Sequence, residues 1–289
     1  MLPIKHILLP VDLSERSAAA AEHAKLLATH YGARVSVVHV MPPLFAPVGS
    51  MEAGTIALTE MFESRKQEAQ TQCASFSSQH LSGIKATDVL LVGDPAHQIV
   101  QYAHDEKTDV IVMPTHGYGP FRRFILGSVA AKVLHDADCP VWTGAHLEDP
   151  PPLDDKFGTI VAAVDLGKMS ERVLEWASQF AADHEAKLIV AHATPNLEGR
   201  TGEYFDPDWR THLIRQARER IDALLSKAGV EAEVTVESGD PAHVVHRAAE
   251  RAVANLVVIG RRAEAGIIGR LKADAYSIIR QSPCPVVSV

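Results

Sequence analysis

A chain of 289 residues accommodates two domains of about 150 residues, each large enough to bury its own core. Its formal net charge of −8 argues against a general nucleic-acid or anionic-membrane surface, which calls for basic patches. Three scattered cysteines, Cys73, Cys139 and Cys284, suit a reducing compartment, and with no signal-peptide pattern over 1–17 and no apolar run near the roughly 20 residues of a membrane span, a cytoplasmic location is expected.

In chain order, residues 6–11 (HILLPV) form a short apolar strand that stops at Asp12. Ser14 and Ser17 are candidate caps for an alanine-rich helix over 18–28, and Gly32 is placed to end it. A second buried strand over 35–40 is closed by Pro42-Pro43. Residues 44–59 carry no clear pattern and precede a helix over roughly 60–78. A third strand covers 86–92, and Gly93-Asp94-Pro95 then supplies a turn, an N-cap and a proline at the first helical position of a helix over 95–104. A fourth strand (Val110, Ile111, Val112, Met113) runs into a glycine-punctuated loop ending at Gly127-Ser128, where another helical pattern begins. Residues 139–142 (CPVW) form a last short strand. Strands alternating with helices in this way imply an α/β fold, an open parallel sheet with helices on both faces.

The acidic, proline-rich stretch 148–156 reads as an extended linker. Beyond it the pattern restarts. Residues 159–166 (TIVAAVDL) echo the opening strand, placing Asp165 and Ser170 at one offset from Asp12 and Ser17 (165 − 12 = 153; 170 − 17 = 153). Gly239-Asp240-Pro241-Ala242-His243 repeats Gly93-Asp94-Pro95-Ala96-His97 (239 − 93 = 146), and Cys284-Pro285-Val286 repeats Cys139-Pro140-Val141. Landmarks in the same order indicate a duplication, with domains expected at 1–147 and 157–289.

The stretch from Asp109 to Ser128 has the features of a phosphate cradle. Glycines at 117, 119 and 127 allow close backbone approach, and a helix opening at Ser128 offers unpaired N–H groups and a favourable dipole. Arg122 and Arg123 add countercharge. The spacing Pro114-x2-Gly117-x9-Gly127-Ser128 resembles the G-x2-G-x9-G-[S/T] nucleotide loop of the universal stress protein family, with Pro114 in place of the first glycine. Proline contributes no N–H and restricts its own φ.

The resemblance covers nearly the whole chain, as two tandem domains. It implies two open parallel five-stranded sheets with helices on both faces, Rossmann-like, with the first and fourth strands adjacent at the switch point. It further implies that an adenine nucleotide, ATP, lies in the N-terminal domain. Pro10, Val11 and Asp12 would then lie beside adenine and ribose, Asp12 as ribose acceptor, with Val40 packing on the base; Met113, Pro114, Gly117, Gly127, Ser128 and Val129 would line the phosphate path. A structural reading of Asp12, as a helix cap after a strand, stands beside this. The resemblance also implies that the two domains pair through their edge strands, as in a dimer of single-domain relatives, and a homodimer of chains is compatible with it.

In the second copy the loop reads Gly260-x2-Ala263-x9-Ala273-Asp274. Two methyl groups and a carboxylate replace features the family uses for phosphate, so no nucleotide is expected there. Arg261, Arg262, Arg270 and Lys272 on the same loop are read either as solvated surface charge or as an anion or partner site other than ATP.

Enzyme chemistry has little support, since the chain contains no G-x4-G-K-[S/T], G-x-S-x-G or H-E-x-x-H motif. His243 and His246 have a metal-compatible spacing but no completing ligands in the sequence nearby, and Cys139 and Cys284 read as small core residues. A cytoplasmic stress-response protein that binds ATP as a regulatory module is the leading expectation. A scaffold or apolar-ligand carrier with lost nucleotide sites, and a slow ATPase, are the alternatives.

Overall fold

The computed structural model describes residues 1–43, 52–115, 126–144, 157–195, 209–261 and 273–289. The expected linker at 148–156 lies outside them, as does the basic stretch from Arg262 to Lys272. The chain divides into two compact units, Pro3–Val141 and Met1–Leu2 with Trp142–Val289.

The first unit contains β1 (His6–Pro10), α1 (Glu15–Tyr31), β2 (Arg34–Met41), α2 (Glu52–His80), β3 (Ala86–Val92), α3 (Pro95–Asp105), β4 (Val110–Pro114) and α4 (Ser128–Asp136). Strand order is β3-β2-β1-β4, with every pair parallel. The chain thus builds outward from β1 to one side and returns at β4 on the other, which places the switch point between β1 and β4. Both strands are continuous apolar runs because helices cover both faces: Ile7, Leu8 and Leu9 are fully buried, and Val110, Ile111 and Val112 nearly so. Each such side chain contributes about 1.5–3 kcal/mol of transfer free energy.

Helix ends follow local chemistry. Gly32 closes α1 in the left-handed region at φ 64°, a conformation that disfavours residues with a Cβ. The Asp94 side chain accepts from the His97 N–H at 3.0 Å to start α3. Ser14 is the N-cap residue of α1, yet its side chain makes no cap bond; it turns to Asp12 instead. Helix α2 begins at Glu52, ahead of the expected 60.

The last strand, β5 (Val141–Gly144), is tied to β4 through the Ile111 N–H and the Pro140 carbonyl, 2.9 Å. From Trp142 onward it groups with the second unit. That unit continues with β6 (Thr159–Ala163), α5 (Ser170–Asp183), β7 (Lys187–Thr194), α6 (Trp209–Ala228), β8 (Glu233–Ser238), α7 (Pro241–Arg251), β9 (Leu256–Ile259), α8 (Ala273–Gln281) and β10 (Val286–Ser288). Its strands run β10-β9-β6-β7-β8, again all parallel, so β6 holds the place that β1 holds in the first unit. Trp142 packs edge-on against Phe157 and tilted against Phe180, at ring-centroid distances of 5.7 and 5.8 Å. Thr143 donates its hydroxyl to the Val286 carbonyl at 3.1 Å, and the Leu2 N–H is held by Asp183 at 2.7 Å. These contacts explain why residues 1–2 and 142–144 belong to this unit.

Candidate functional site

At the carboxyl end of β1 the Val11 N–H donates to the Val38 carbonyl at 2.9 Å, and the Val11 carbonyl accepts from His39 Nδ1 at 2.8 Å. The chain then turns sharply. Leu13 takes φ 63°, an unusual conformation for a branched residue, costing on the order of 1 kcal/mol. Asp12 secures this turn: its Oδ1 accepts from the Ser14 N–H at 3.1 Å, the Ser14 hydroxyl at 2.5 Å and the Ser17 hydroxyl at 2.6 Å. The fully buried Ser17 oxygen accepts in turn from the Asp12 N–H at 3.0 Å. Asp12 therefore organises the entry to α1 while standing exposed at the switch point. The structural reading of this carboxylate therefore has direct geometry.

Opposite Asp12 stands the end of β4. Met113 is buried, Pro114 is half-buried as the last strand residue, and Thr115 is buried. The Gly127 N–H donates to the Thr115 carbonyl at 2.8 Å, so the loop that leaves after Thr115 returns to the same point. Helix α4 begins there with Gly127 as its N-cap, without a side-chain cap and without an acidic residue in its first turn. The N–H groups of Ser128, Val129 and Ala130 have no intrahelical acceptor, as at any helix start. They form an anion-favouring end beside the β1 terminus, because β1 and β4 are hydrogen-bonded neighbours. Gly127 donates its own N–H to the Thr115 carbonyl and so does not add it to this end. Gly117, His116, Gly119, Arg122 and Arg123 lie outside the described residues. Val40 sits half-buried near the end of β2, paired with Leu91 of β3.

His39 was not singled out by motif or spacing. The signal that identifies it is the duplication: His192 follows at the same offset as Asp165 from Asp12 (192 − 39 = 153). In the second unit His192 Nδ1 bonds the Val164 carbonyl at 2.8 Å, and Asp165 Oδ1 accepts from the Gly167 N–H at 2.8 Å and the Ser170 hydroxyl at 3.2 Å. Leu166 repeats the left-handed turn at φ 58°. These elements border a cleft of about 250 Å³ at the carboxyl ends of β6 and β9, lined by Ala163, Val164, Asp165, His192, Gly260 and Asp274 among others. A side chain at Gly260 would bring its Cβ to 2.9 Å from the Met169 Cβ, so this position requires glycine for the close approach of α5.

Other candidate chemistry recedes. His246 Nδ1 donates to the Gln281 carbonyl at 2.6 Å and Nε2 lies 3.3 Å from Glu250, which ties this histidine to α8 and its own helix, while exposed His243 caps near Asp240. No cluster of metal-ligating side chains occurs among the described residues. Burial raises the Cys284 thiol to about 12; for Cys73 burial, with Asp88 nearby, raises it to about 11, so neither is poised as a thiolate.

The model of the Universal stress protein family matches residues 3–143 and again 156–289. The chain belongs to the universal stress protein family. It does so as a tandem member: a universal stress protein of Mycolicibacterium smegmatis is 24% identical over 291 residues, spanning 98% of this chain and 96% of its own. A shorter universal stress protein of Thermus aquaticus is 38% identical over 138 residues, 96% of its length and 47% of this chain. Among solved structures, a universal stress protein of Archaeoglobus fulgidus aligns with a TM-score of 0.67 and 25% identity over 99% of this chain and 98% of its own. Membership agrees with the paired architecture of this universal stress protein and connects it to the stress response. No helix among its described residues is long and apolar enough to cross a membrane.

Proposed function

We propose that this universal stress protein is a cytoplasmic regulatory module that binds an adenine nucleotide, ATP, in the crevice between β1 and β4 of its first domain (1–147), and does not turn it over. One observation carries the reading: the Gly127 N–H to Thr115 carbonyl bond holds the uncapped start of α4 at the carboxyl end of β4, the strand paired with β1, which leads into Asp12. An anionic chain suits that helix end, and a sugar hydroxyl suits that carboxylate. Pro10, Val11, Asp12 and Val40 take the base and ribose; Met113, Pro114, Gly117, Gly127, Ser128 and Val129 take the phosphate path. The second domain (157–289), reached through the linker at 148–156, takes no ATP.

A second reading, a carrier of an apolar ligand, draws support from Pro114, which offers no N–H where the family loop has glycine, and from the Gly127 N–H already being used. Mass spectrometry of small molecules released on denaturing the purified chain, followed by calorimetry with ATP, separates the two. The nucleotide reading expects a micromolar dissociation constant, about −8 kcal/mol, lost in Gly127→Asp. Absence of heat and of any thermal shift with ATP rejects it.

A further inference from the structure

We propose that the outer edge of β3 is an assembly surface, on which β3 of a second copy of this chain pairs antiparallel about a two-fold axis.

β3 ends the strand order of the first unit, and two bonds to β2 fix which way its main chain faces. The Val35 N–H donates to the Lys85 carbonyl and the Gly93 N–H to the Met41 carbonyl, each at 2.9 Å. In a parallel ladder alternate residues bond the neighbour, so Thr87, Val89 and Leu91 face β2, while Ala86, Asp88, Leu90 and Val92 turn N–H and carbonyl outward. No hydrogen bond to these outward groups occurs among the described residues. The strand is also apolar for an edge left in water. Strands of parallel sheets are ordinarily covered on both faces, yet no residue of β3 is buried, and Val92 is 40% exposed. Its one charge, Asp88, accepts from the Ser77 hydroxyl of α2 and is drawn to that helix.

The duplicated strand β8 has a guarded edge. The Gly239 N–H bonds the Thr194 carbonyl at 3.0 Å, which turns Val234 outward as the counterpart of Asp88 (234 − 88 = 146). Arg218 of α6 reaches that Val234 carbonyl at 3.5 Å, Lys187 pairs with Glu233, and Arg247 and Arg251 both hold Glu237. In the first unit Gln72 stands where Arg218 does (218 − 72 = 146) and bonds Glu68 of its own helix at 3.3 Å. Edge charges oppose pairing, and β3 carries none beyond Asp88.

Self-pairing suits the order of residues along β3. An antiparallel register that sets Ala86 against Val92 and Asp88 against Leu90 of the second copy brings outward groups opposite outward groups and uses all four. Val89 then meets Val89 at the two-fold axis. The two Asp88 carboxylates stay apart, each opposite a leucine, so no like charges meet. Pairing with β8 of another copy would instead meet its arginines and glutamates and, being head-to-tail, would not close; the two-fold pair closes on itself.

Sedimentation equilibrium of the full chain should show a concentration-dependent dimer. Leu90→Glu sets a carboxylate against Asp88 at two equivalent positions and should raise the dimer dissociation constant at least about tenfold. Leu90→Lys loses the same apolar contact but brings the opposite charge to Asp88, and should weaken the dimer less. Circular dichroism and thermal melting check that both variants fold. Val89→Cys places two thiols at the axis, where facing Cα atoms lie about 4.5 Å apart, and should give a disulfide-linked dimer under mild oxidation. Thr87→Cys, opposite Leu91, should not. A chain that is monomeric at every concentration overturns the proposal, as does a dimer equally tight in Leu90→Glu, or one that Val89→Cys fails to cross-link. Should neither Leu90 variant fold, the contrast between Val89→Cys and Thr87→Cys decides alone.

Discussion

Ser17 and Asp12 clasp each other twice: the serine hydroxyl donates to the carboxylate at 2.6 Å and accepts from the N–H of the same aspartate at 3.0 Å. The pair joins the end of the first strand to the first turn of α1. It determines both where the helix begins and how the carboxylate is held after the end of β1.

Ser17→Ala should therefore cost about 1–3 kcal/mol, the penalty for stranding hydrogen-bonding partners beside a buried position. Urea denaturation measures the loss. ATP affinity should fall in the same variant, because the carboxylate loses one of the bonds that orient it. Unchanged stability would mean that the Ser14 bonds hold the turn without Ser17.

Acidification should weaken the first unit. Burial lowers His23 from 6.5 to about 4, so the folded protein resists a proton that the unfolded chain accepts. Stability contributed by the neutral ring is complete above 6.5, falls as pH drops from 6.5 towards about 4, and levels off below; the full span is about 3 kcal/mol. Buried His6 is shifted in the same direction, chiefly by burial, with Arg34 assisting against the Glu106 carbonyl. Denaturation curves at pH 7.5 and 4.5 should show this loss, and His23→Leu should reduce it. A variant with the full pH dependence of the parent would place the proton uptake elsewhere.

Removal of Pro285–Val289 should collapse the second unit. Val286, Val287 and Val289 are buried, and the segment bonds Ile259 and Arg261 of the β9 end and accepts from Thr143. Loss of the strand leaves β9 as a bare apolar edge, a recognised route to aggregation. Light scattering and thermal melting check this, and a monodisperse truncation with an unchanged melting temperature would contradict it.

Ala273→Gly combined with Asp274→Ser should raise ATP stoichiometry from one towards two per chain. The change removes a carboxylate and restores a donor at the start of α8, while Ala263 keeps the new site weaker than the first. Inorganic triphosphate as competitor separates specific uptake from attraction to a more positive surface. Two ATP bound by the unmodified chain would show that these replacements do not disable the loop.

Much of this was legible because it is local or periodic. Apolar runs such as Ile7-Leu8-Leu9 marked buried strands, Asp94-Pro95 and Asp240-Pro241 marked helix starts, and the constant offset between Asp12 and Asp165 exposed the duplication. The family resemblance was readable from the spacing of Pro114, Gly117, Gly127 and Ser128. The start of α2 was not, because residues 44–59 carry no clear pattern to mark where a helix opens. His39 escaped notice because a single histidine in a strand carries no pattern; its bond to Val11 spans 28 residues and exists only once β1 and β2 are paired.

The sequence by itself determined the alternation of strands and helices, the caps Asp94 and Asp240, the repeat and the family, since backbone preference and hydrophobic period act between residues a few places apart. Ser14 and Ser17, expected as caps of α1, bond Asp12 instead, Ser17 from inside the helix. Tertiary structure alone decided which groups meet: the Thr115 carbonyl with Gly127, Thr143 with Val286 across 143 positions, and Leu2 with Asp183 across 181. Such contacts depend on chain closure and packing, which bring together residues that no local rule relates.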